Sequence, residues 1–132
     1  MSFDIHLQAF ENGDAASRDG AAVRQRLLGV AQCYEPEFER VVIRGDLEST
    51  DVYGVPPENA PLDSLVFSRA GPRGLDLLVE VAQMADLVII PPGCPVCIVH
   101  DGQRRHLPPE LAEAGVELVT TGRALLEVFE RC

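Results

Sequence analysis

Two cysteines and two histidines crowd into a short stretch, and they are the residues of this sequence best suited to chemistry. Cys94, Cys97, His100 and His106 give the pattern C-x2-C-x2-H-x5-H. Thiolate sulfur and imidazole nitrogen are ordinary zinc ligands. The segment Gly93-Cys94-Pro95-Val96-Cys97 also carries the proline that follows the first cysteine in many thioredoxin-like oxidoreductases. Each chemistry sets a geometric condition. A redox dithiol needs its first cysteine at a helix start, where free N–H groups stabilise the thiolate. Here Ile98-Val99 and then Asp101-Gly102 favour a strand and a tight turn. In a strand Cys94 and Cys97 point to opposite faces, and Cys94 and His100 stand roughly 20 Å apart at ~3.3 Å per residue. Zinc therefore requires a compact loop, which Pro91, Pro92, Gly93 and Pro95 permit and Ile98-Val99 resist. The plain alternative is a hairpin with small buried cysteines and exposed histidines beyond it. With Cys33 and Cys132 the chain has four cysteines, which a reducing cytosol would keep as free thiols.

A second candidate is a surface for recognition. Between Glu35 and Asp63 there are eight acids and two arginines, a balance of -6 within a total of -10. Glu35, Glu37, Glu39, Asp46, Glu48 and Asp51 stand with Tyr34, Phe38 and Tyr53 in this window. Acids interleaved with aromatic anchors suit docking to a basic protein surface. The competing reading is a solvated acidic face over core aromatics.

Other catalytic patterns are absent. There is no G-x-S-x-G elbow, Walker loop or H-E-x-x-H, and no motif calls for a cofactor. An enzyme with a small-molecule pocket remains a third reading, because pockets are not visible in a sequence. The acidic charge opposes binding to nucleic acid or to anionic membranes. The longest apolar stretch, Leu87 to Ile90, is far shorter than the ~20 residues that span a bilayer. Met1 to His6 lacks the basic and apolar regions of a secretory signal, so cytoplasmic residence is the expectation.

The elements that must position these residues follow from periodicity. Phe3, Ile5 and Leu7 alternate with polar residues, predicting an opening strand that ends near Phe10. The run Glu11-Asn12-Gly13-Asp14 turns the chain towards a helix over 18 to 33, with Ser17 or Asp19 as its cap. Its inward stripe is Val23, Leu27, Val30 or Ala31, and Tyr34. Val41 to Ile43 and Asp51 to Tyr53 predict a strand pair, and Pro56, Pro57 and Pro61 an irregular surface loop before a strand at Leu65 to Phe67. Residues 75 to 85 form an amphipathic helix whose polar stripe is Asp76, Glu80 and Gln83. Strands follow at Leu87 to Ile90 and Val96 to Val99. A short helix starts at Pro108-Pro109 and ends at Gly115, and a last strand runs from Val116 to Val119. A terminal helix after Gly122 turns Leu125, Leu126 and Phe129 inward. This order lacks strict β-α-β alternation. It predicts one α+β domain over 1 to 132, a mixed, mainly antiparallel sheet with three to four helices.

The opening Met1-Ser2-Phe3-Asp4-Ile5-His6-Leu7-Gln8-Ala9-Phe10-Glu11-Asn12-Gly13 resembles that of a group of small bacterial proteins, and Gly93-Cys94-Pro95 with His106-Leu107-Pro108-Pro109-Glu110 is similar to their C-terminal half. The resemblance implies an association with immunity-type proteins that neutralise toxins. It carries no catalytic residues, and the Cys94 and Cys97 pair lies outside the shared pattern. The reading that follows is a protein-binding domain, with an immunity or antitoxin role as its most concrete form and a zinc or thiol-redox protein as the alternative.

Overall fold

A computed structural model describes residues 4–45 and 49–132. The chain opens with β1 (Asp4–Glu11), whose alternating residues Ile5, Leu7 and Ala9 are buried. Asn12 and Gly13 both take positive φ, 51° and 87°, the conformation of the two-residue hairpin turn that Asn-Gly favours. The turn therefore returns the chain as a strand, β2 (Asp14–Ala16), and not directly into a helix. β3 (Arg18–Asp19) then pairs with β7 (Pro61–Leu62) in a small separate sheet.

Helix α1 is shorter than the sequence predicts, Ala21–Val30, because strand pairing claims both of its expected ends. Asp19 still serves its start, accepting the N–H of Ala21 at 3.0 Å, while the Ser17 hydroxyl is spent on Asp63. At the other end Cys33 and Tyr34 belong to β4 (Cys33–Glu35). A 3-10 turn, Pro36–Phe38, leads into β5 (Arg40–Arg44), which pairs antiparallel with β6 (Ser49–Tyr53) as expected. The proline loop is docked more closely than a surface excursion would be. Pro56 is buried, and its carbonyl accepts from Arg24 at 2.9 Å.

β8 (Ser64–Ser68) is followed by the long helix α2 (Pro72–Ala85), with eight buried residues and Asp76, Glu80 and Gln83 on its polar side. β9 (Val88–Ile90) and β10 (Val96–Ile98) come next. Asp101-Gly102 opens a 3-10 segment, Asp101–His106, in place of the tight turn. The short α3 (Pro109–Glu113) carries the chain to β11 (Val116–Leu118), and α4 (Gly122–Arg131) ends it. Thr121 caps α4, its hydroxyl accepting from Ala124 N–H at 3.0 Å. In α4 the inward residues are Leu125 and Val128, with Phe129 packed at the edge. Leu126 is 40% exposed, contrary to the expected stripe.

Nine strands form the main sheet in the order β11-β10-β9-β1-β8-β6-β5-β4, with β2 beside β1. Among the described residues only β10 and β11 pair in parallel, joined through α3; the other pairs are antiparallel. The domain is thus α+β, with four α-helices among the described residues, three of them of ten residues or more. One face of the sheet packs on the helices. Its core rows run Tyr34, Val41, Val52, Phe67, Ile5 and Leu65, Leu7, Ile89, Cys97. The opposite face is covered at the β9 to β11 end, where Val88, Val96 and Ile98 meet Leu107 and Phe10. No helix of the described residues is long and apolar enough to cross a membrane.

Candidate functional site: the bare half of the sheet

Over the other half of that face, on β8, β6, β5 and β4, no buried apolar cluster is found among the described residues. Cross-strand partners share a face, so the pairing register lists what stands there. One row is Glu35, Arg40, Tyr53, Val66 and His6. The next is Cys33, Val42, Asp51, Ser68 and Asp4. His6 is exposed and Tyr53 is 39% exposed, while Val42 and Val66 are half-buried between polar neighbours.

Charge on this face is largely internal. Asp51, only 5% exposed, accepts from Arg40 at 3.0 Å and from Arg69 at 2.7 Å. Arg40 also bonds Glu35 and lies over the Tyr53 ring, 5.9 Å from its centroid. The hydrogen bond to Glu35 raises the Arg40 pKa against the opposing effect of burial, and the charge of Asp51 adds to the rise. Arg40 is thus a fixed cation holding two carboxylates. Glu35 and Asp51, nominated for docking, are spent on this network. Tyr34, read with the aromatic anchors, faces the helices and takes a hydrogen bond from Arg24 at 3.1 Å.

What stays free is at the rim. The 3-10 turn beside the edge strand β4 projects Phe38, 64% exposed, between the exposed Glu37 and Glu39, which have no ion pair among the described residues. The projection is fixed by its backbone. Glu39 takes φ 50°, donates to the Pro36 carbonyl at 3.1 Å, and its own carbonyl accepts from Gly54 and Val55 at 3.0 Å each. Gly54 is required there, since its φ of 93° and its approach to the Ser64 carbonyl leave no room for a side chain. Asp46 and Glu48 lie outside the described residues.

Neither a relative nor a family can be set beside this surface. No protein-family model matches the chain, and comparison with curated proteins and with solved structures returns no match.

The cysteine and histidine motif is scattered by the fold. Cys94 is bonded to Cys132, so these two are not the free thiols expected of the sequence. Four cysteines allow three connectivities, and spacing alone does not choose among them. Cys97 is a free thiol in the core, and burial pushes its pKa up to about 12, with the charge of Glu117 adding to the rise. His100 is held by Asp86 at 2.6 Å, and the buried Gln103 donates to the same carboxylate oxygen at 3.0 Å. His106 accepts the Asn12 N–H on Nδ1 at 3.1 Å, and its carbonyl accepts from Gly13 at 2.9 Å. These histidines tie the Asp101–His106 segment to α2 and to the first hairpin. Among the described residues no three His, Cys, Asp or Glu side chains are grouped to hold a metal. Cys94 is thus paired with Cys132 and not with Cys97, and His100 and His106 are engaged with separate partners.

A cleft of about 550 Å³ opens where the proline loop meets the start of α1, lined by Arg18, Asp19, Arg24 and Asn59 among others. Its charged groups serve the fold. Arg18 bonds Glu11 at 3.0 Å and Asp86 at 3.3 Å, Arg24 bonds Tyr34 and the Pro56 carbonyl, and Asp19 takes the Ala21 N–H.

Proposed function

We propose that this chain is a protein-binding domain that docks a basic partner on the bare half of its sheet, with Phe38 and its flanking glutamates as the anchor. The observation that carries the reading is Phe38: a large apolar side chain 64% exposed on a turn held by backbone hydrogen bonds. Leaving such a ring in water forgoes roughly 2 kcal/mol of burial. A rigid, exposed aromatic loses little entropy on binding, which is the economy of interface hot spots. Glu37 and Glu39 beside it supply an attraction for arginine or lysine that is sensitive to salt. An immunity or antitoxin role in the cytoplasm is the most concrete form of the proposal. It draws on the resemblance of the opening residues and on the acidic balance of the chain.

The test is recovery of a partner from the source cell at low and at high salt. It uses the wild type, Phe38→Ala, the Glu37→Arg/Glu39→Arg double variant, and Glu130→Arg on α4 as a control. The expected result is one stoichiometric basic partner, released at high salt, lost with the first two variants and retained with the control. A partner held equally by all four proteins, or none at stoichiometric yield, refutes the assignment. For the immunity form, adding the recovered pair's domain in excess should suppress the partner's own activity.

A further inference from the structure

Asp86, His100, Gly102 and Gln103 form a group that the docking surface does not use. Asp86 ends α2 in the left-handed region, φ 57°, and its own N–H and that of Leu87 both reach the Ala82 carbonyl. The backbone thus places its carboxylate, and three donors then fix it. Gln103 donates to Oδ1 at 3.0 Å and Arg18 to Oδ2 at 3.3 Å. His100 Nε2 meets Oδ1 at 2.6 Å. Gln103 is itself held: only 4% exposed, it also donates to the Leu87 carbonyl at 3.0 Å and accepts the Val99 N–H at 2.8 Å. A buried amide therefore orients a carboxylate, which in turn orients an imidazole. The Asp86 and His100 side chains are 48% and 53% exposed, and a pair that open to water adds little stability, so stability does not account for this support.

A carboxylate oxygen only accepts, so Nε2 carries the ring proton and the neutral imidazole keeps its lone pair on Nδ1. Nδ1 has no hydrogen-bond partner among the described residues. Gly102 stands beside it, and its φ lies outside the left-handed region that calls for glycine. What a side chain there would meet is the imidazole: a Cβ would lie 3.0 Å from Nδ1 and 3.1 Å from Cε1. Glycine at 102 thus leaves room at the ring nitrogen that Asp86 leaves free. The other histidines lack this arrangement. His106 accepts the Asn12 N–H on Nδ1 and has Arg105 Nε 3.2 Å from Nε2, while His6 is exposed on β1 with no carboxylate partner among the described residues.

We propose that His100 Nδ1 is a nucleophile, with Asp86 as its positioning residue, that accepts acyl groups from small, uncharged, activated donors such as aryl esters and anhydrides. A ring nitrogen whose opposite N–H is held by an oriented carboxylate is the activated form of imidazole. The Nδ1 pair attacks the acyl carbon, and the bond from that carbon to the leaving oxygen breaks, its pair going to the leaving group. The acylated ring is cationic and keeps its Nε2–H on Asp86, whose negative charge stabilises it. Water then attacks the acyl carbon, and the acyl–Nδ1 bond breaks with its pair returning to Nδ1. One water proton ends on the leaving oxygen, and the remaining hydroxyl stays on the released acid. The chain's charge of -10 disfavours anionic donors, which is why the class is uncharged.

The test treats the full chain with limiting diethyl pyrocarbonate, a small uncharged acyl donor, at pH 8, above the ordinary histidine range, and follows each histidine by peptide mapping. His100 is expected to be acylated about 5-fold faster than His6, with His106 slowest. Asp86→Asn is expected to bring the His100 rate to within about twofold of that of His6. Gly102→Ala, which leaves Asp86 and its donors in place, is expected to slow His100 by at least ~3-fold and to leave His6 and His106 unchanged. If Asp86→Asn does not fold, wild type and Gly102→Ala decide between them. A wild-type His100 no faster than His6 overturns the proposal. So does an undiminished His100 rate in either variant, or a variant that slows all three histidines alike.

Discussion

Removing the Cys94–Cys132 disulfide should cost this domain much of its stability, and the size of the loss follows from the loop it closes. The two cysteines are 38 residues apart. Between them lie β10, α3, β11 and α4, so the cross-link restrains nearly the whole C-terminal third in the unfolded chain. Chain-entropy arithmetic for a loop of this length gives about 4 kcal/mol at 25 °C. Against a total of ~5–15 kcal/mol for an ordinary domain, that is a large share. For a chain of this size it corresponds to a fall in melting temperature on the order of 10–15 °C. The right perturbation is Cys94→Ser with Cys132→Ser, since a single change leaves a thiol free to mispair with Cys97 or Cys33. Both positions are at least partly open to solvent, so the serine hydroxyls stay hydrated and the substitution adds little burial penalty.

The assay is urea unfolding of both proteins without reductant, followed by fluorescence and circular dichroism, with thiol titration of the unfolded wild type. Two free thiols and a difference of about 3–4 kcal/mol are expected, together with a steeper urea dependence in the variant, whose unfolded state is less compact. Four titratable thiols in protein kept oxidised would remove the disulfide outright. A difference below about 1 kcal/mol would show that the 94–132 loop is already restrained when unfolded, and the entropy argument would fail.

Two further outcomes follow from close contacts between elements. Gly122→Ala should destabilise by about 2–4 kcal/mol in the same urea assay, because a Cβ there would lie 2.7 Å from the Asp76 backbone nitrogen and 2.9 Å from its Cα, and α4 would have to move off α2. Glu80 joins α2 to α1 through Arg26, and its hydrogen bond to Arg26 holds its pKa below the usual glutamate value. A lowered acid pKa contributes stability that is present above the unfolded pKa of about 4.3 and is lost as pH falls through the folded value. Melting temperatures measured between neutral pH and pH 3 should therefore fall less steeply for Glu80→Gln than for wild type, and parallel curves would contradict the assignment.

Elements with a strong local signal were legible from the sequence. The strand pair at Val41 and Val52, the amphipathic α2, the buried β9 and the α+β class all follow from periodicity and β-branched runs. The differences arise where pairing between distant segments overrides local preference. The expected helix over 18 to 33 shrinks because Arg18 pairs with Leu62 and Asp19 with Pro61, 44 and 42 residues away, and Cys33 pairs with Val42, 9 residues away. Leu126 faces outward because the stripe of α4 is set by where α2 lies, which places Val128 inside instead. At the site, Tyr53 and Asp51 could be read as strand residues, but not that Arg69 would reach Asp51. That contact exists only because β8 pairs with β6. Cys132 gave no signal as the partner of Cys94, since disulfide pairing is a matter of three-dimensional distance.

The acidic window shows most clearly how folding changes what a sequence offers. Counted along the chain, Glu35 to Asp63 holds a balance of -6, as if six charges awaited a partner. In the fold, Arg40 binds Glu35 and Asp51, and Arg69, from outside the window, binds Asp51 again. The acids on strands β4 and β6 thus fasten the sheet to itself, and among the described residues the acids without such a partner include Glu37 and Glu39 on the 3-10 turn. A partner recognised through these would feel a field of few charges placed around one aromatic ring. Its affinity should then depend more on Phe38 than on the net charge of the domain, which is why the Phe38→Ala variant discriminates between a docking site and a merely acidic surface more sharply than any change of salt.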